Sequence, residues 1–201
     1  MTDVARDTKL CYNDQQMRMG ENAFMDKRRL EAQLAEFPIC DYAFFTTDEL
    51  VFTDRVRYIC EHECPMYNAT WACPPAVGSV EECRTRVLAY HEGLMITTAA
   101  QVPDINDMEQ TLSTRGMHEQ VTRDVLACVR QQASETLTLS TEACAQCEAC
   151  TWPNAPCRHP DRMFPCVESH GILVSDLAER HGIEFCTGNG IVTWFSLIFY
   201  R

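Results

Sequence analysis

A single α+β (or α/β) domain, with a central mixed sheet flanked by helices and two cysteine-rich loops at one end, is the fold class that the sequence predicts. Three observations predict it. Helical and extended stretches alternate along the 201 residues, with no repeat of fixed period and no low-complexity linker. The 46% hydrophobic and 23% charged content is that of a globular chain long enough for one good core. The closing apolar stretch, Ile191 to Tyr200, lacks polar alternation and reads as a strand buried on both faces.

Taken in order, residues 1–20 are polar and form a loosely ordered lead-in, and residues 21–201 form the domain. From Glu21 the period is helical, with Ala23, Leu30, Leu34 and Phe37 on one face, and Pro38 ends the helix. Ile39 to Thr46 reads as a strand and Val51 to Ile59 as a second extended piece. The first cysteine loop follows. Ser79 and Glu82 make a capping box for a helix that turns Val80, Cys83 and Val87 inward.

Gly93 to Ala99 is a strand. Asp104 starts a long helical region reaching about Ala133, divided near Gly116, with Met117, Val121, Val125 and Cys128 on one stripe. Leu137 to Ser140 is a short strand that delivers the chain to the second cysteine loop. Ile172 to His181 is helical, with Gly182 in the favoured position past its end. Phe185 and Cys186, a turn at Gly188 to Gly190 and the final strand read as a hairpin.

Charge and leader signals narrow the function. A net charge of -12 repels phosphate backbones and acidic lipid surfaces, which excludes nucleic acid and membrane as expected partners. The Ile191 to Tyr200 run is about half the ~20 residues a membrane helix needs. The opening residues Met1 to Asp7 show neither a charged-then-apolar leader nor a cleavage site. The expected compartment is therefore the cytoplasm, where thirteen cysteines point to metal ligands or catalytic thiols rather than disulfides.

Two loops hold the informative cysteines. In the second, Cys144, Cys147 and Cys150 repeat at Cys-x2-Cys-x2-Cys, and Cys157 follows after six residues. Three thiolates so close in sequence suit three corners of a 4Fe-4S cluster, although the last gap is longer than in the bacterial ferredoxin run. The competing cofactor is zinc, but its usual sites pair two Cys-x2-Cys knuckles, and here Cys150 and Cys157 lack that spacing. In the first loop, Cys60, Cys64 and Cys73 form a three-cysteine set stiffened by Pro65, Pro74 and Pro75, with Tyr67 and Trp71 placed to shield it.

Cys157 joins the second set and Cys83 the first as cofactor-binding residues, while the fourth ligand of each stays open among Cys83, Cys157, Cys166 and His62. Cys83 lies on the inward face of its helix, and His62 reads as an exposed loop residue. Cys128 reads as core, and Cys11, Cys40 and Cys186 carry no spacing signal. His159, His170 and His181 read as surface or capping residues. Arg158 suits either a cluster sulfur or anion, or a surface ion pair with Asp161 or Glu168.

From Cys60-x3-Cys64 through Trp71-x-Cys73-Pro74-Pro75-x2-Gly78 to Glu81-Glu82-Cys83-Arg84, the chain resembles the bacterial and archaeal family of predicted metal-binding proteins of unknown function. The resemblance resumes at Cys144-x2-Cys147-x2-Cys150, at Cys157-Arg158-x-Pro160 and at Glu168-x2-Gly171-Ile172, and it covers about residues 40 to 200. It implies metal or iron-sulfur binding at these cysteines. Cys166 departs from the family pattern, where a small or apolar residue is expected, and Asn68 stands where a glycine is usual.

The expected function is an iron-sulfur protein holding one or two 4Fe-4S clusters. Its task would be electron transfer to a redox partner protein, or a redox accessory step for a partner enzyme. Two other classes stand beside it: a zinc-stabilised binding module, and an enzyme whose three-cysteine cluster keeps one iron open to substrate.

Overall fold

The computed structural model describes residues 25–185, 188 and 190–201. Its centre is a four-stranded sheet in the order β1-β2-β4-β3, where β1 is Tyr42–Thr46, β2 Glu92–Gln101, β3 Thr136–Ser140 and β4 Ile191–Tyr200. The α+β expectation holds. In place of mixed pairing, all three ladders are antiparallel, and parallel pairing is confined to an isolated bridge between Ser140 and Cys166. The register of β2 on β4 runs from Glu92 opposite Tyr200 to Gln101 opposite Ile191.

Strand β4 is central, and its two faces explain its unbroken apolar sequence. Phe195, Leu197 and Phe199 join one core with Met95, Leu139, Val167, Ile172 and Leu177. Ile198 and Tyr200 join the other core, with Leu30, Leu34, Val121, Val125 and Val129. Helices cover both sides, so neither face selects for polar residues. The helices are α1 Lys27–Leu34, α2 Asp54–His62, α3 Val80–Leu88, α4 Met108–Ser113, α5 Arg115–Val129 and α6 Val174–Arg180.

The caps set most boundaries. Asp26 accepts from the Arg29 amide and starts α1; the expected residues Glu21 and Ala23 lie outside the described part. The capping box at Ser79 and Glu82 is present as expected. Val51 to Ile59 is not extended: Thr53 accepts from the Arg55 amide at 3.3 Å and opens α2. That cap, with Asp54 favoured at the positive helix end, outweighs the strand preference of Val51, Val56 and Ile59. Phe52 keeps only an isolated bridge to Ile172.

The long helical region is broken at Thr114 rather than Gly116, and Asp107 rather than Asp104 caps its first half. Of its expected inward stripe, Val121, Val125 and Cys128 are buried and Met117 is not. Met117 is 51% exposed, while His118 is fully buried. His118 is accommodated by hydrogen bonds to Thr98 of β2 at 2.9 Å and Ser196 of β4 at 2.8 Å, and Ser196 donates onward to Ser140 of β3. Burial holds the imidazole down to about 4, so it is neutral and fixes α5 against the sheet.

Phe185, expected in a hairpin strand, instead stacks on Phe195 at 5.2 Å, outside any strand. Cys186 and Asn189 lie outside the described residues, as does Cys11. Among the described residues no helix is long and apolar enough to cross a membrane.

Candidate metal centre

The chain leaves β3 at Ser140 and enters the second cysteine loop through Thr141, which exchanges hydrogen bonds with Phe195 of β4. The loop is then held by a carboxylate from α5. Glu119, 2% exposed, accepts from the Ala145 amide at 2.8 Å and from the Gln146 side chain at 2.7 Å. Both donors sit between Cys144 and Cys147, so the register of α5 fixes the start of the motif. Arg158 donates to the Ala149 carbonyl at 2.8 Å and draws the far end of the loop back. It forms neither of the expected ion pairs, with Asp161 or Glu168.

Cys144, Cys147, Cys150 and Cys157 all line one pocket, together with Trp71, Thr151, Arg158 and Met163. Its volume of about 20 Å³ is the room of one water molecule. Cys157 therefore faces the same space as the three-cysteine repeat. Burial pushes the Cys144 thiol up to about 11, and the charges of Glu119 and the nearby Cys157 add to this. Arg115 works in the opposite direction on Cys144. It is buried, lies 3.9 Å from Glu119, and its Nε and Nη1 have no hydrogen-bond partner among the described residues.

The first loop meets the second across a pair of tryptophans. Trp71 donates to the Ala155 carbonyl at 3.1 Å, and Trp152 donates to Asn68 Oδ1 at 2.8 Å. The two rings pack edge to face at 4.7 Å. Asn68 has φ +56, the left-handed conformation that a glycine adopts freely, and its amide donates to the Pro74 carbonyl. An asparagine tolerates that backbone better than most side chains and here also supplies the acceptor for Trp152.

Around the first loop the thiols are more deeply set. Cys60 ends α2 on its buried face beside Arg57, whose guanidinium donates to Glu61 and to the Ser169 and Gly78 carbonyls. Cys60, Cys64 and Cys166 line one cavity of about 450 Å³ with Glu63, Glu142 and Glu168, and Cys73 packs against Cys166. Backbone pairing brings Cys166 there. The Ser140 amide donates to Pro165 and the Val167 amide to Ser140, while the Cys166 amide donates to Ala72 of the first loop. The segment is thus laid between the end of β3 and the residue before Cys73.

Burial pushes the Cys60 thiol up to about 12, with Glu168, Cys64 and Cys73 adding to it, and pushes Cys73 up to about 11. Cys64 is also raised by burial, and Cys166 is pushed well above the usual thiol range by burial and by Glu168. Cys166 Sγ donates to Glu168 at 2.8 Å, and burial lifts the Glu168 carboxyl to about 7. His170 is fully buried rather than at the surface, with Nδ1 bonded to the Cys166 carbonyl at 2.9 Å.

Other sequence candidates sit apart from these two sets. Cys83 is buried in α3 but faces the Val77 carbonyl and the Arg86 guanidinium, which lies 3.0 Å from its sulfur. His62 is exposed and stacks on Tyr58. Cys128 lies in the core, Cys40 and His159 are exposed, and His181 hydrogen-bonds to Glu49. Among the described residues no three His, Cys, Asp or Glu side chains converge closely enough to hold a single metal ion.

Searches of curated proteins and of solved structures find no match. A family model described as predicted metal-binding protein does match, over residues 43–200, from β1 to the end of β4 and across both cysteine sets. On that match the chain belongs to the predicted metal-binding protein family DUF2284.

Proposed function

We propose that the chain is a cytoplasmic iron-sulfur protein with two 4Fe-4S sites, acting in electron transfer to a partner protein or as the redox accessory of a partner enzyme. One site is Cys144, Cys147, Cys150 and Cys157. The other is Cys60, Cys64, Cys73 and Cys166, since Cys83 faces the Val77 carbonyl and Arg86 instead. The observation that carries the reading is that all four cysteines of the second loop line one pocket. A four-iron core takes one thiolate on each iron, so its ligands need to face one space rather than one point. The second set meets that requirement, and in the first Cys60, Cys64 and Cys166 line one cavity while Cys73 packs against Cys166.

A bound core supplies one-electron transfer. The chain's own residues prepare for it. Glu119 orders the amide and side chain between Cys144 and Cys147, and the Trp71 and Trp152 rings close the seam between the loops against water. Arg115 sets a buried positive charge where the Cys144 thiolate would form. With room for about one water, the second pocket would have to widen to admit the core, which would couple the order of the loop to metal uptake.

Anaerobic purification with iron, sulfide and zinc analysis is the test. Iron and acid-labile sulfide in equal amounts, with a broad visible absorbance that bleaches on reduction, are expected. Colourless protein with stoichiometric zinc would overturn the proposal in favour of a zinc-stabilised module.

A further inference from the structure

The cavity over Cys60, Cys64 and Cys166 is far larger than the second pocket, and most of its wall is not made of metal donors. Its volume of about 450 Å³ lies within the range of small-molecule sites. Val56, Ile172 and Val174 give it an apolar wall, the last two buried. At its mouth stand Ile59, Met108 and Phe185, exposed by 52%, 51% and 46%. Single exposed apolar side chains need no explanation, but these come from two helices and the segment before β4 and gather on one cavity.

The polar lining has one sign. Glu63, Glu142 and Glu168 offer carboxyl oxygens, and no lysine, arginine or histidine lines the cavity among the described residues. Thiolates on the floor would add negative charge once metal displaces their protons. An ammonium group brings hydrogen-bond donors that the carboxyl oxygens accept, while a carboxylate or phosphate ligand brings none. Glu142 is also held at φ +63, a left-handed conformation seldom taken by glutamate, at the turn between β3 and the second loop.

We propose that this cavity binds a small organic amine, its apolar body against Val56, Ile172 and Val174 and its protonated nitrogen toward Glu142 and Glu168. The inference rests on the proposed metal site for the charge of its floor, and adds a ligand class to it. The site is open at one side and of modest volume, so the occupant is a single small molecule rather than a protein segment.

Calorimetric titration of the full, metal-loaded chain under anaerobic conditions tests this with three matched probes: hexylammonium, hexan-1-ol and hexanoate. Hexylammonium should bind one to one, about tenfold more tightly than hexan-1-ol, as a charge-assisted hydrogen bond outweighs a neutral one. Hexanoate should not bind measurably. Glu142→Gln should remove most of the preference for the amine over the alcohol, and Ile59→Ser should weaken both while leaving metal content unchanged.

Equal affinity for amine and alcohol, preference for hexanoate, or no binding by metal-loaded protein would each overturn the proposal. Metal analysis of the same samples separates the two readings. Protein that binds hexylammonium but holds zinc, or no metal, keeps the amine site and sinks the iron-sulfur assignment. Protein that holds iron and sulfide but ignores the amine does the reverse.

Discussion

The two cysteine sets differ in how they are put together, although each presents thiols to one cavity. The second set is local: its four cysteines fall within one loop, are half-buried, and are held by a single carboxylate from α5. The first is assembled from the end of α2, the loop after it, and a segment a hundred residues later that pairs with both β3 and Ala72. Cys60, Cys73 and Cys166 are buried, and the cavity that Cys60, Cys64 and Cys166 line is much wider. A local set draws its geometry from chain spacing, whereas a distributed set draws it from the sheet. The first set should therefore fail with the fold, and the second with its loop.

Serine replacement breaks that comparison most sharply. Cys147→Ser should empty the second site and Cys166→Ser the first, each lowering metal per chain by about half, since one lost thiolate removes a direct ligand. Cys83→Ser should leave the metal content unchanged, because its sulfur faces Val77 and Arg86. Elemental analysis of the three variants reads this directly. Loss of all metal from either single variant would show that the sets form one site.

The two sites should also differ in how they respond to pH. Burial raises all four thiols of the first set, Cys60 to about 12 and Cys73 to about 11. In the second set it lifts Cys144 to about 11. A metal binds the thiolate, so each raised thiol must give up a proton on loading, and affinity climbs as pH rises toward the raised values. The gain approaches a factor of about ten per pH unit for each proton displaced. Chelator competition from mildly acid to alkaline pH, on Cys147→Ser to isolate the first site and Cys166→Ser to isolate the second, should show affinity rising with pH at both, with the rise continuing to higher pH at the first, where Cys60 reaches about 12 against about 11 for Cys144. A rise that levels off at the same pH for both would remove the distinction between buried and loop-borne thiols.

What the chain reveals of itself follows the same division. The ladder strands, the Ser79 capping box and the Cys144 to Cys150 repeat are local patterns, and each is legible in the sequence. Cys166 is legible only as one candidate among four, because nothing near it in the sequence indicates that Ser140 and Ala72 will pair with its flanks. The Cys83 helix is legible and its inward turn correct, yet facing inward there means facing Arg86 rather than the other thiols. Val51 to Ile59 misleads because one threonine hydroxyl decides the helix against several β-branched side chains. His118 hides behind Met117 because an imidazole reads as polar until Thr98 and Ser196 satisfy it.

The smallest effect falls on the seam between the two sets, where the tryptophan pair measures how far they are independent. Trp152→Phe keeps a ring against Trp71 but loses the donor to Asn68 Oδ1, a cost of about 1 kcal/mol. Trp152→Ala also loses the edge-to-face contact, for a total of about 2 kcal/mol. Because Trp152 lies between Cys150 and Cys157, its loss should speed metal release from the second site more than from the first. The first site feels it only through Asn68 and Trp71, which precede Cys73 on a loop that Cys166 also holds in place. Chelator-driven release, followed separately on Cys147→Ser and Cys166→Ser backgrounds, should rise modestly for the phenylalanine variant and several-fold for the alanine variant, with the larger change at the second site. An equal acceleration at both would mean that the seam, rather than the sheet, sets the strength of the first site.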